Sequence, residues 1–448
     1  MPRPCGIGVL TWVLLCIAAP AAANPVDSYG LGSRSTALGG AMSASARDFS
    51  ACYYNPSGLA LARGTDLSVG YTHVSHSLSM NGHDSQVDPV RGIVGGIVAP
   101  GSVGTLPFAF GIATHLNDER LSRARSARQD QPRWLLYDNR PQLLYLSAGV
   151  ALRPLPWLSV GGGVTWLAAT QGRFGIRGTA VLPGGGRTEY DSQLEHEVDA
   201  DLTSVRYPQF GVTLRPTREL DLAVVYRGQA KIALNIDAEL AGNVDATLLQ
   251  VPARYTLTSQ TTNAFIPQQL VLGGAYQLSK ELRLSADVTW VNWAAYESPV
   301  SRSQTVLDVE VPASFELPEN PKPTEVEDPN FSDRLVPRLG VEYFLSVARD
   351  FSIPLRVGYV YEHSPVPPQT GRTNFVDANR HVFSAGSGFV LSDPGEVLPG
   401  DLRFDMHLQW SLLPARVTLK ENPADYVGDY RADGSILNVG ATLGVGFR

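Results

Sequence analysis

Leu402, Phe404, Met406, Leu408, Trp410 and Leu412 interleave with Arg403, Asp405, His407, Gln409 and Ser411. Successive residues of an extended strand point to opposite faces, so this segment carries one oily face and one polar or charged face. The pattern recurs at Leu282, Leu284, Ala286, Val288 and Trp290, which alternate with Arg283, Ser285, Asp287 and Thr289. The same phase runs through 144–152, 158–166, 270–278, 339–345, 355–361 and 437–447. A chain with this many period-two segments is all-β. The open question is which face lies inside.

In a soluble sandwich the oily faces form the core; in a membrane barrel they meet lipid and the polar faces line the lumen. Three features favour the barrel. Many segments exceed the ~5–6 residues usual for soluble strands. Aromatic residues gather at segment ends, as at Trp290, Trp293 and Tyr296, which suits an interfacial girdle. Connections alternate between tight (154–156, 216–219, 279–281, 348–351) and long (118–139, 173–202, 235–262, 297–331), and short periplasmic turns with long external loops are the outer-membrane rule. The reading is a transmembrane antiparallel β-barrel of about fourteen strands, even-numbered as single-chain bacterial barrels are. The expected strands are 65–80, 91–99, 107–117, 140–153, 157–172, 203–215 and 220–234, then 264–278, 282–296, 334–348, 353–363, 380–393, 401–416 and 435–447.

The chain divides into three parts. Arg3, an apolar run from Ile7 to Ala19 and the small residues Ala21, Ala22 and Ala23 read as a secretory signal over 1–23, leaving Asn24 as the first mature residue. Residues 65–448 form the barrel. A barrel of this size has a lumen too wide for its own side chains to fill. Residues 24–64 lack strand alternation and are rich in Gly and Ala, so they are expected to form a small helical hatch inside the lumen. Within them Asn55-Pro56-Ser57-Gly58 is a turn, with Pro fixing φ and Asn and Gly tolerating unusual backbone angles.

Composition removes several function classes. A net charge of −7 argues against a nucleic-acid partner. Cys5 and Cys16 leave with the signal, so Cys52 has no partner for a disulfide. None of the four lysines (Lys231, Lys280, Lys322, Lys420) sits in a P-loop context, and neither GxSxG nor HExxH occurs. The expectation is no enzyme, no cofactor and no metal. His73, His76 and His83 near the end of the first strand read as solvated loop residues, since no fourth ligand is evident. Glu195, Glu197, Asp199 and Asp201 read as an acidic, solvated loop. The polar faces bring Arg283, Arg338, Arg356 and Arg403 beside Asp287, Glu342, Glu362 and Asp405. One reading has an arginine meeting a ligand carboxylate. The other, favoured by the near balance of acids and bases, is a lumen salt-bridge network that fixes the hatch.

The stretch from Gly32 to Ala60 resembles the hatch of the FadL/TodX family of outer-membrane hydrophobe channels. The shared elements are Ala37-Leu38-Gly39-Gly40-Ala41, Tyr53-Tyr54-Asn55-Pro56 and Gly58-Leu59-Ala60. A second similarity runs from Pro337-Arg338-Leu339-Gly340 through Leu355-Arg356-Val357-Gly358-Tyr359 and Pro365–Pro368 to Asp377-Ala378-Asn379-Arg380-His381. The chain departs at Ser57, where the family usually has Ala, and in the short stretch, Asn24 to Tyr29, ahead of Gly30. It also ends Phe447-Arg448, with Phe447 one position early for a terminal aromatic read by the barrel assembly machinery. The resemblance implies a monomeric fourteen-stranded barrel in the outer membrane, surrounded by lipid and lipopolysaccharide. It implies passive uptake of hydrophobic molecules, long-chain fatty acids or aromatic hydrocarbons, gated by the hatch turn Asn55–Gly58. It further implies a kinked third strand, for which Pro107 and Gly111 are the candidates, that releases ligand sideways; Pro107 at a strand start is also simply a permitted position. The alternative function is a non-transporting partner barrel in a secretion complex, of the PorV type, which shares a similar hatch motif.

Overall fold

The computed structural model describes residues 25–119, 132–138, 144–182, 193–246, 249–297, 302–309, 322–323, 327–393 and 400–447. The expected signal, 1–23, lies outside the described residues.

Two short helices, α1 (Pro25–Tyr29) and α2 (Ser33–Ala37), are followed by α3 (Ala51–Tyr54) and a 3₁₀ turn at Pro56–Leu61. The strands then follow: β1 (Thr65–Met80), β2 (His83–Asp84), β3 (Val90–Val103), β4 (Leu106–Asn117), β5 (Tyr145–Leu155) and β6 (Leu158–Leu182). After them come β7 (Gln193–Leu214), β8 (Leu220–Arg227), β9 (Ala230–Ala246), β10 (Leu249–Ile266), β11 (Gln269–Gln277) and β12 (Leu282–Val291). The last six are β13 (Arg302–Val309), β14 (Arg334–Ser346), β15 (Phe351–Glu362), β16 (Arg380–Ser392), β17 (Gly400–Thr418) and β18 (Tyr430–Phe447). A fourth helix, α4 (Leu135–Asp138), lies between β4 and β5.

Fourteen of these strands form the wall, each antiparallel to its neighbours. The wall closes where β1 pairs with β18, from Thr65↔Phe447 to Met80↔Ala432. At three places it skips elements: β1 pairs directly with β3 past the two-residue β2, β8 with β11, and β12 with β14. The skipped β9, β10 and β13 join the far ends of β6 and β7 in a sheet that extends the wall beyond the long-connection end. There β6 and β9 run parallel, from Arg173↔Asn235 to Leu182↔Val244. The connections expected as loops over 173–202, 235–262 and 297–331 are thus partly strand. Their backbone groups are satisfied by pairing with one another rather than by water.

The side-chain pattern answers the question of which face is inside. Met406, Leu408, Trp410 and Leu412 on β17 are 37–50% exposed, whereas Asp405, His407, Gln409 and Ser411 are buried. On β12, Leu284 and Val288 are exposed while Ser285, Asp287 and Thr289 are buried. A soluble fold would lose free energy at every one of these positions. A wall bathed in hydrocarbon would not. Two sequence expectations fail at the wall's edges. Trp293 and Tyr296 are 2% and 5% exposed, so they pack inward and do not belong to an interfacial girdle. His73 and His76 lie within β1, not in a loop, and His76 Nε2 meets the Tyr29 hydroxyl at 2.7 Å.

Candidate functional site

The segment 25–61 lies against the inner face of the wall on many sides. Gly39 and Gly40 have φ of 63° and 72°, a left-handed bend that favours glycine, and it lets the backbone run flat on the wall at Tyr359. Inward-facing wall glycines make room for the segment. A Cβ on Gly161 would sit 2.5 Å from the Pro56 carbonyl carbon, one on Gly211 2.0 Å from Asn55 Oδ1, and one on Gly358 2.3 Å from the Gly39 nitrogen.

Asn55 is fully buried and makes four contacts at the start of the 3₁₀ turn. Its Nδ2 donates to the Ser43 carbonyl at 2.6 Å and to Thr213 Oγ1, on wall strand β7, at 2.9 Å. Its Oδ1 accepts from the Ser57 amide at 3.0 Å and the Ser57 hydroxyl at 2.7 Å. Ser57 Oγ is itself 2.7 Å from Thr213 Oγ1. One wall threonine therefore ties both residues of the turn, while Pro56 opens the 3₁₀ helix and Gly58 packs on the Ala46 carbonyl. Ser57 supplies one of these ties. Cys52 is buried beside the turn, and its carbonyl accepts from Ser147 Oγ at 3.1 Å and from Gln209 Nε2. Burial pushes its thiol well above the ordinary cysteine range.

The lumen charges gather into networks that include the segment. Arg34 grips Glu342 with two bonds of 2.9 and 2.8 Å. Arg356 bonds Glu342 at 2.7 Å and Asp405 at 2.6 Å, with its side chain 2% exposed. Asp287 accepts from the Met42 and Ser43 amides at 3.0 and 2.9 Å and from the Ser43 hydroxyl at 2.7 Å. Arg403 pairs with Asp66. Arg283 stands opposite Glu342 in register but turns to Asp221 at 2.7 Å, because Arg34 and Arg356 already occupy Glu342. Arg338 donates to a hydroxyl, Thr289 Oγ1 at 2.6 Å, and among the described residues it pairs with no carboxylate.

The residues expected at a kink, Pro107 and Gly111, fall on β4. Pro107 is the second residue of β4 and Gly111 lies mid-strand. The ladder to β3 runs in register from Gly92↔Asn117 to Val103↔Leu106, and that to β5 from Phe108↔Leu152 to His115↔Tyr145. Both ladders continue through Gly111. Gly111 serves packing: a Cβ there would meet Leu59 Cδ2 at 2.7 Å and Cys52 Sγ at 2.8 Å.

At the long-connection end five aromatic rings close over the lumen. Phe265 stacks on Trp293 at 5.1 Å, Tyr296 on Phe331 at 4.4 Å, and Phe375 meets Phe331 edge-on at 5.6 Å. Beneath them, two cavities of about 40 Å³ each lie between α1 and the wall, and Arg338, Glu362 and Arg380 line both. At the short-turn end a cavity of about 510 Å³ opens below the segment, lined by Arg47, Lys280, Arg283 and Phe344 among others.

Several pinning residues escaped sequence reading. Arg227 donates to the Tyr53 and Tyr54 carbonyls at 3.0 and 3.3 Å and lies 4.1 Å from the Tyr53 ring centre. Thr213, Asp221 and Arg34 are others. The signal available was phase: in β8, Asp221, Ala223, Val225 and Arg227 share the face that continues the lumen side.

Comparison with known proteins agrees with this architecture. The family model described as "Outer membrane protein transport protein (OMPP1/FadL/TodX)" matches residues 138–406. A solved structure of a Pseudomonas aeruginosa FadL homologue is similar over 96% of this chain and 98% of its own, at 15% identity and a TM-score of 0.51. The toluene transporter TodX of P. putida is similar over 94% of this chain and 99% of its own, at 16% identity and a TM-score of 0.51. Identities this low speak for the fold alone. No curated protein sequence matches the chain. With a family model covering more than half its length and a wall whose oily face points outward, the chain is an outer-membrane β-barrel of the OMPP1/FadL/TodX family of transport proteins.

Proposed function

We propose that this protein is a passive channel that carries hydrophobic small molecules, long-chain fatty acids foremost, across the outer membrane, with residues 25–61 as its hatch. The observation that carries the reading is the way the hatch is held. It fills the lumen, yet it meets the wall through discrete hydrogen bonds and ion pairs that can break and re-form, such as Asn55 to Thr213 and Arg34 to Glu342. The two cavities beside its α1 end measure only about 40 Å³ each, too small for a sugar, which supports a seated hatch that restricts hydrophilic solutes there. The aromatic cluster above favours apolar entrants. Arg338, which spends its guanidinium on a hydroxyl and lines both cavities, is the lumen group best placed to meet a carboxylate. Asn55 and Ser57 form the gate turn. Pro107 and Gly111 keep a structural role on this reading, and Glu342, Arg356, Arg403, Asp287 and Asp405 hold the hatch.

The test is uptake by cells with and without the protein. Cells carrying it take up a long-chain fatty acid or an aromatic hydrocarbon faster, and glucose at the same rate. Glucose crossing at a porin-like rate, or no gain for either hydrophobe, would remove the channel reading.

A further inference from the structure

We infer that residues 364–377 form a lid over the outer mouth of the lumen, latched by Lys420 and Glu327, whose opening admits the hydrophobic molecule. The inference rests on the channel reading above. The long connections mark this end as the outer one. A hydrophobe arriving there meets a closed roof: the five rings pack together, and the two cavities beneath measure about 40 Å³ each. Part of the roof must therefore move.

The lid is a compact loop between β15 and β16, within the ~6–16 residues of an Ω-loop. Its two ends are close together and buried. Ser364 Oγ donates to Asp377 Oδ2 at 2.7 Å. Arg416 on β17 donates to Ser364 Oγ at 3.1 Å and to the Asp377 carbonyl at 3.3 Å. The Ser332 amide, just ahead of β14, donates to the Pro365 carbonyl at 2.9 Å. Inside the loop, Gln369 donates to the Pro367 carbonyl at 3.1 Å and accepts from the Phe375 amide at 3.3 Å. Pro365, Pro367 and Pro368 stiffen the same stretch by fixing φ. The loop is one braced body on a fixed neck.

Its tip is held differently. Lys420 Nζ donates to the Gly371 and Thr373 carbonyls at 2.6 and 3.1 Å, and the Glu421 amide donates to the Thr370 carbonyl at 3.1 Å. Glu327 accepts from the Arg372 amide at 3.3 Å and pairs with its guanidinium at 3.8 Å, their side chains 43% and 72% exposed. Ion pairs so open to water are weak, whereas the neck is buried. The post that carries Lys420 is braced: Asp429 accepts from the Lys420 amide at 2.7 Å, and Asn422 and Asp425 accept from amides of the same turn. On its inner side the lid carries Phe375, which meets Phe331 at 5.6 Å and Tyr296 at 6.3 Å, and the buried Val376. Two backbone bonds complete the closed state, from the Arg133 amide to the Asn374 carbonyl at 3.3 Å and from the Val376 amide to the Arg133 carbonyl at 2.9 Å. Other rings of the roof are fixed by strands, Phe265 within β10 and Trp293 just past β12. Lifting the tip takes Phe375 out of the roof while the neck keeps the loop attached.

The experiment uses the full-length protein in detergent, with Val376→Cys in a Cys52→Ala background as reporter and laurate as the ligand probe. A hydrophilic maleimide reaches the reporter thiol only when the lid is open. Adding Lys420→Met is expected to raise the labelling rate at least fivefold, and Glu327→Gln to raise it by a smaller factor. With Lys420→Met alone, laurate association and dissociation both speed up at least threefold. Affinity stays within twofold of wild type, because the latch is lost from the empty and the loaded protein alike. Heat-shifted gel migration confirms that each variant is folded. Unchanged labelling in Lys420→Met overturns the lid and leaves the channel reading standing. Faster labelling with unchanged laurate rates overturns the lid's role at the entrance. Failure of wild type to bind laurate or toluene removes the channel reading, and the lid's role with it.

Discussion

At the outer end of the lumen Phe265, Trp293, Tyr296, Phe331 and Phe375 pack ring on ring, with Trp293 only 2% exposed. At the periplasmic end three arginines crowd one aspartate beside a cavity of about 510 Å³. The first end is a packed cluster of rings, with Arg334 5.6 Å from the Trp293 ring centre and Glu362 and Arg380 beneath it. The second is an open, arginine-rich cavity, and its energetics depend on salt. Between them lies a hatch whose ties are polar. On the channel function proposed above, a hydrophobic molecule meets the aromatic end first and the hatch next.

The contrast is sharpest in stability. Trp293→Ala removes a buried indole from a stacked cluster, and the expected cost is about 3–5 kcal/mol. The temperature at which the folded, fast-migrating gel form is lost should drop clearly, with little dependence on ionic strength. Arg47→Gln and Arg283→Gln, taken singly, should shift that temperature far less, since each also relieves like-charge repulsion around Asp221. If either matched Trp293→Ala, the periplasmic end would be a packed core and the comparison would break.

A smaller effect separates the hatch turn from both ends. Asn55→Ala takes the buried partner from the Ser43 carbonyl and the Ser57 amide, at about 1–3 kcal/mol for each group so stranded, while the Thr213 hydroxyl keeps Ser57 Oγ. That is too little to open a fourteen-stranded closed barrel. Normal assembly is expected, with hydrophobe uptake reduced at matched surface abundance. Uptake equal to wild type would leave Asn55 as a turn residue with no part in gating.

How much of this was legible beforehand follows from what one-dimensional phase can carry. The strands are local: the alternation at 282–290 and 402–412 states which residues face lipid, and the wall follows from repeating it. The contacts that hold the hatch are not local. Asn55 and Thr213 lie 158 positions apart, and Arg34 and Glu342 lie 308 apart, so no spacing rule links them. Polar-face arginines were visible as a class, but which carboxylate each one takes depends on competition. Arg283 faces Glu342 in register and still goes to Asp221. Trp293 and Tyr296 misled because an aromatic residue at a strand end fits a lipid girdle and a lumen cap equally well. Inward glycines such as Gly161 and Gly211 mark where the hatch rests, and that meaning appears only once the partner backbone is in place.

The central claim is that the hatch moves against the wall when ligand passes. Ser57 Oγ and Thr213 Oγ1 lie 2.7 Å apart, so the pair Ser57→Cys/Thr213→Cys, in a Cys52→Ala background, places two thiols where a disulfide locks turn to wall. Fatty-acid uptake is measured in the same cells before and after reduction. The account predicts uptake at the level of cells lacking the protein while the disulfide is closed, and recovery when it is reduced. Equal uptake in both states, with the disulfide verified, would contradict a moving hatch.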